Sequence, residues 1–225
     1  CEHGISIKSG RHLLIDGVAD PVDYGLGNCA DRTDQQSIAL LTGANSGGKT
    51  TMLELLAHCT ILAHMGLPVP AKAAKVGRIE SLHVLAKAGG TQSAGALEQT
   101  LLQLAEVVSN NNSKLILADE LEAITEPGAG ARIIAGMLEA AESHSGTCML
   151  LVTHLAPAII EAAGKELRTD GIEARGLDEN LELIVDRTPR RNHLARSTPE
   201  LIVRRLVERS NGDARDVFTS ILGRF

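Results

Sequence analysis

Residues 38–51 read Ile38-Ala39-Leu40-Leu41-Thr42-Gly43-Ala44-Asn45-Ser46-Gly47-Gly48-Lys49-Thr50-Thr51, an apolar run that breaks into a glycine-rich turn. Positions 43–50 fit the pattern G-x-x-x-x-G-K-[ST]. The apolar run predicts a buried strand over 38–42, and the residues after the turn predict a helix over 50–65. Leu53, Leu56, Ile61 and Met65 form the expected apolar face of that helix, and Gly66 with Pro68 marks its end. Between such a strand and helix, glycines let successive backbone N–H groups turn toward phosphate oxygens, and the helix N-terminus adds partial positive charge. In this reading Gly43, Ala44, Asn45, Ser46, Gly47, Gly48, Lys49, Thr50 and Thr51 hold a nucleotide triphosphate. Lys49 reaches the β- and γ-phosphates, and the Thr50 hydroxyl sits on Mg²⁺.

The rest of the chain supplies partners for such a loop. Leu115-Ile116-Leu117-Ala118-Asp119-Glu120 is an apolar strand that ends in two carboxylates. Opposite a phosphate loop, Asp119 is the expected metal-side acid and Glu120 the group that orients and deprotonates the attacking water. Leu150-Leu151-Val152-Thr153-His154 delivers a histidine from a third apolar strand, placed to meet the γ-phosphate or the water. Ser93-Ala94-Gly95-Ala96 opens a helix expected over 97–108, with apolar residues at 97, 101, 104, 105 and 108. Small residues at a helix start make a second anion site, which is useful where it completes the site of a neighbouring molecule.

Further strands are expected at 5–8, 79–85, 149–153 and 181–185, and a third helix over 128–142 behind Pro127. Strands alternating with helices imply an α/β fold, a mostly parallel sheet flanked by helices. From Arg187 to Arg209 seven arginines stand against Glu200 and Glu208, a net of +5, which leaves −11 for the remainder of a chain whose total is −6. Ser197-Thr198-Pro199-Glu200 has capping-box spacing, and Asn211-Gly212-Asp213 separates two short helices. The expected division is therefore an ATPase domain over 1–195 and a small helical C-terminal tail over 196–225 that is suited to dimer formation.

Composition excludes several classes. Of 225 residues only Tyr24, Phe218 and Phe225 are aromatic and none is tryptophan, so a single-strand-binding surface of stacked aromatics is ruled out. No apolar run approaches the roughly 20 residues of a membrane-spanning helix. The scattered cysteines (Cys1, Cys29, Cys59 and Cys148) read as reduced intracellular thiols, and with no signal peptide visible they suggest a cytoplasmic chain. A start at Cys1 suggests a fragment of a longer protein.

In this order, these pieces resemble the C-terminal ABC-type ATPase domain of the MutS family of DNA mismatch-repair and recombination proteins. The resemblance rests on Thr42–Thr51 (TGANSGGKTT), where Asn45 is the discriminating position, and on Asp119-Glu120-Leu121 with Thr125-Glu126-Pro127, as in the short paralogous branch. The arginine-rich tail resembles an archaeal MutS-related version. Ala44 stands for the family's proline, and Ser93-Ala94-Gly95 for its Ser-Thr-Phe. The resemblance implies a head-to-tail homodimer with composite ATP sites, in which Ser93 and Gly95 serve the partner's nucleotide. It also implies an aromatic on the adenine, for which Tyr24 is the candidate, and ATP/ADP and Mg²⁺ as cofactors. DNA would be gripped through clamp and lever domains absent from this sequence, with no role for a membrane. The alternatives are a nucleotide-binding subunit of an ABC-type transporter, weakened by the lack of a Leu-Ser-Gly-Gly-Gln string, and a non-hydrolysing nucleotide-binding module.

Overall fold

The computed structural model describes the chain apart from residues 1, 18, 31–34, 45–46, 87–93, 122–125 and 196–197, with only the backbone described at 94–97 and 100. Five strands form a parallel sheet in the order β5 (Ser81–Ala86), β6 (Lys114–Asp119), β7 (Thr147–Val152), β3 (Ile38–Gly43), β8 (Thr169–Ile172). β3 and β7 are buried along their whole length, which accounts for their unbroken apolar character; a strand covered on both faces has no polar side to alternate with.

One face of this sheet carries α2 (Ala94–Ser109), α3 (Pro127–Glu142) and α4 (Ala156–Ala163), whose inward residues pack around Leu40, Ile116 and Leu151. The other face carries α1 (Lys49–His64), itself covered by an antiparallel sheet in the order β2 (Val22–Gly27), β1 (Gly4–Gly10), β4 (Ala73–Val76). Leu55 and Leu56 of α1 thus lie in one cluster with Ile5, Ile7 and Leu26 as well as with Leu41 and Leu117. The expected strand at 5–8 exists but belongs to this second sheet. Because α1 is covered on two sides, its buried apolar residues are Met52, Leu53, Leu55, Leu56, Ala57 and Cys59, whereas Ile61 and Met65 are 47% and 65% exposed. In α2 only Leu104 and Val108 of the expected stripe are buried among the described side chains.

The two sheets are joined by a buried ion pair. The Arg168 guanidinium lies 2.7 Å from Asp170 Oδ2 and donates to Gly25 O at 2.9 Å, and Tyr24 donates its hydroxyl to the same carboxylate at 2.9 Å. At the other face Lys114, 1% exposed, donates its ammonium to Val107 O, Val108 O and Asn110 O, closing the carbonyl end of α2.

The strand expected at 181–185 is shorter, because Leu181 takes a positive φ of 63°. β10 (Leu183–Val185) pairs with β9 (Ala174–Leu177) in a separate hairpin outside the parallel sheet. Beyond it lie two helices, α5 (Pro199–Arg209) and α6 (Asp213–Leu222), packed on one another with no fully buried residue. Thr198 is the N-cap of α5 and makes no side-chain cap bond, and Ser197, the expected first residue of the capping box, lies outside the described residues. The arginines of this region are matched internally: Arg190 meets Asp186, Arg204 meets Glu200, and Arg205 and Arg209 meet Glu182.

Cys59 and Cys148 are free and buried, whereas Cys29 is disulfide-bonded, a departure from four reduced thiols that cysteine spacing does not reveal. Burial pushes the Cys59 thiol up to about 11 and the Cys148 thiol up to about 12. Unfolded, both would ionise at pH ~8.5, so above that pH the folded state binds more protons than the unfolded one. Stability should be intact below about pH 8.5 and then fall by up to ~1.4 kcal/mol per pH unit for each thiol. Urea titrations at pH 8 and pH 10 check this, and the Cys59→Ala/Cys148→Ala variant should show a shallower loss.

Candidate functional site

β3 leaves the sheet at Gly43, whose φ is +131° and where a Cβ would lie 2.2 Å from Ile172 O, so no side chain fits. Gly47 N donates to Ala44 O at 3.0 Å and closes the loop. Gly48, at φ +93°, is the N-cap of α1 and aims that helix's free N–H groups into the loop. Lys49, the first helical residue, is 7% exposed and donates its ammonium to Gly43 O and Ala44 O, both at 2.9 Å. Burial holds the lysine below its ordinary pKa, while the charges of Glu120 and Asp119 oppose that shift. Asn45 and Ser46 lie outside the described residues.

The acidic side comes from β6 and β7. Asp119 Oδ2 accepts the Thr50 hydroxyl at 2.6 Å. Glu120 N donates to Val152 O at 3.0 Å, and Glu120 itself has φ +48°, a left-handed backbone that costs a non-glycine residue about 1–3 kcal/mol. This backbone turns its carboxylate toward His154, with Glu120 Oε1 2.8 Å from His154 Nε2 and both side chains about one-third exposed at 34%. Thr153 Oγ1 accepts from Leu155 N at 2.9 Å and fixes the bend that delivers the histidine. Gly47, Gly48, Lys49, Thr50, Thr51, Asp119, Glu120 and Arg187 surround one cavity of about 390 Å³. Gly47, Gly48, Lys49, Thr50 and both acids thus face one cavity.

A second cavity, of about 220 Å³, shares Gly47, Gly48, Thr51 and Arg187 with the first. Its walls are mainly apolar: Ile15, Ala19, Val22, Met52 and Leu55, with His12 and Asp20 at the side. Tyr24 lines neither cavity. It is 7% exposed with its hydroxyl on Asp170 and its ring beneath the Arg168 guanidinium, 5.3 Å from ring centroid to Cζ, so its role is to join the sheets and not to stack on a base. Sequence reasoning assigned no site role to Arg187, Ile15, Ala19, Asp20 or Val22, because none of them is a phosphate-loop or acidic-pair residue. Ser93 lies outside the described residues, and Gly95 lies in the first turn of α2. Among the described residues, none that lines these two cavities comes from α2. Nor do three or more His, Cys, Asp or Glu side chains gather into a metal cluster among them. Among the described residues, no helix is long and apolar enough to cross a membrane.

The family model described as MutS domain V matches residues 39–188. The whole chain is 43% identical to the DNA-binding protein MutS2 of Pyrococcus furiosus, of which it covers 40%. It is 31% identical over 80% of its length to the Endonuclease MutS2 of Ruminiclostridium cellulolyticum, covering 22% of that protein. It is 28% identical over 67% of its length to the DNA mismatch repair protein MutS of Acetivibrio thermocellus, covering 18%. The chain thus spans two fifths or less of the length of these relatives. None of these three relatives is named as a transporter subunit. The glycine-rich loop, the acidic pair across from it and the match over residues 39–188 lead to one conclusion: the chain belongs to the MutS family and carries that family's ATPase domain.

Proposed function

We propose that this chain binds ATP between Gly43 and Thr51 and hydrolyses it as the dimeric switch of a longer DNA-repair or recombination protein. The observation that carries the proposal is the convergence of Lys49, Thr50, Asp119 and Glu120 on one cavity. Lys49 exchanges its contacts with the loop carbonyls for the β- and γ-phosphates, whose negative charge offsets the hydration the buried ammonium has lost. The base enters the apolar cavity beside Val22 and Leu55.

The Thr50 hydroxyl and the Asp119 carboxylate form an all-oxygen pair 2.6 Å apart, a donor set that suits Mg²⁺ and leaves its other positions to phosphate and water. When bound, Mg²⁺ neutralises charge on the β- and γ-oxygens. Glu120 accepts the proton of the attacking water, and His154 orients the Glu120 carboxylate. Ser93, with Gly95 of α2, then serves the nucleotide of a partner in a head-to-tail homodimer, with α5 and α6 as a further dimer contact. The names of the relatives include DNA binding and mismatch repair; here DNA is held by parts of the longer protein, in the cytoplasm and on the nucleoid when DNA-bound.

Lys49→Ala should weaken ATP binding at least ~100-fold, since it deletes a charge-assisted contact in a desolvated site. Calorimetric titration measures this, and an unchanged affinity refutes the phosphate assignment. Glu120→Gln should retain ATP while turnover falls by about 10²–10⁴-fold, and light scattering should show more dimer with ATP present. Ser93→Arg should leave ATP binding intact and depress hydrolysis. If binding fell in parallel, Ser93 would belong to the site of its own protomer.

A further inference from the structure

Arg187 stands where the two cavities meet. It lies just past β10, and its backbone is pinned on both sides: Asp186 N donates to Glu173 O at 2.9 Å, and Gly171 and Arg190 exchange backbone hydrogen bonds of 2.8 Å. The side chain runs across the start of α1, so that a Cβ on Gly48 would lie 3.4 Å from Nη1 and 3.8 Å from Cδ. Its Nε is 3.8 Å from Asp20 Oδ2, on the segment that walls the apolar cavity. Gly47, Gly48, Thr51 and Arg187 are common to both cavities. The passage between them therefore has the N-terminus of α1 on one side and a guanidinium on the other.

A nucleotide bound as proposed above has to thread this passage. Its terminal phosphates lie by Lys49 and Asp119 and its base by Val22 and Leu55, so covalent order puts the ribose 5′-oxygen and the α-phosphate in between. The planar fork of a guanidinium matches two phosphate oxygens, a fit that an ammonium lacks. We propose that Arg187 grips the α-phosphate from the side opposite α1, and so makes the site selective for intact nucleotides over free phosphate or pyrophosphate. The inference rests on the nucleotide reading. It adds a residue from the far end of the domain to a site otherwise built from the loop and two strand ends. Because the backbone on both sides of Arg187 is already fixed, little ordering is required when the ligand arrives.

The test is equilibrium binding of ATP, ADP and pyrophosphate to the chain and to Arg187→Ala and Arg187→Lys. In Arg187→Ala, affinity for ATP and ADP should fall by about 10–100-fold, while pyrophosphate affinity stays as in the parent chain. Arg187→Lys should recover only part of the loss, because it restores charge without the fork. Unmoved ATP and ADP affinities overturn the proposal. So does an equal loss for pyrophosphate, which would place Arg187 on the terminal phosphates. If the parent chain binds none of the three, the nucleotide reading itself fails, an outcome distinct from both.

Discussion

Because a Cβ at position 43 would sit 2.2 Å from the carbonyl oxygen of Ile172, β3 leaves the sheet only through a glycine, and that exit sets the path of the phosphate loop. The neighbour that enforces it is β8, paired in parallel with β3 through Gly43 and Ile172. Gly47 N closes the turn onto Ala44 O, and Gly48 then starts α1 with its amides directed inward. Lys49 completes the loop by holding its own carbonyls. The anion site is thus largely a property of the main chain, to which Lys49 adds a charged side chain.

Parallel register makes the acids its counterpart. Leu41 and Asp119 both pair with Val152, so the ends of β3, β7 and β6 lie in one row across the sheet. Carboxylates at a strand end are ordinarily solvated; here one accepts the Thr50 hydroxyl and the other faces a histidine. The strained backbone at Glu120 belongs to this arrangement, since an unstrained continuation of β6 would carry the carboxylate along the strand and away from His154.

Much of this is legible in the order of residues. The apolar runs at 38–42, 115–118 and 149–153 are long and unbroken because they are covered on both faces, and that is the pattern periodicity detects best. The antiparallel sheet is harder. β4 spans only Ala73–Val76 and β2 carries two glycines, so neither shows alternation long enough to be read. α4 is eight residues long with two of them buried, too short for a stripe. The apolar face of α1 escapes a single-face template, which puts Ile61 and Met65 inside, because one helix serves two layers. At the site, motif residues are visible in the sequence and the walls are not. Ile15, Val22 and Arg187 line the cavity through where the chain brings them, and no phosphate-binding pattern in their local sequence announces it.

The buried pair of Arg168 and Asp170 bears on a different kind of lesion. It fastens Tyr24 and Gly25 of β2 to the parallel sheet, and Val22, which opens the same strand, forms part of the apolar cavity. Deleting one member leaves a charge stranded without its counter-ion, a defect that costs roughly 3–5 kcal/mol. The layers would then be free to drift, and the cleft that spans them would lose its width. Such a variant would present as a ligand-affinity defect although neither residue belongs to the phosphate cavity, and a compensating change within the pair would remove it at its source.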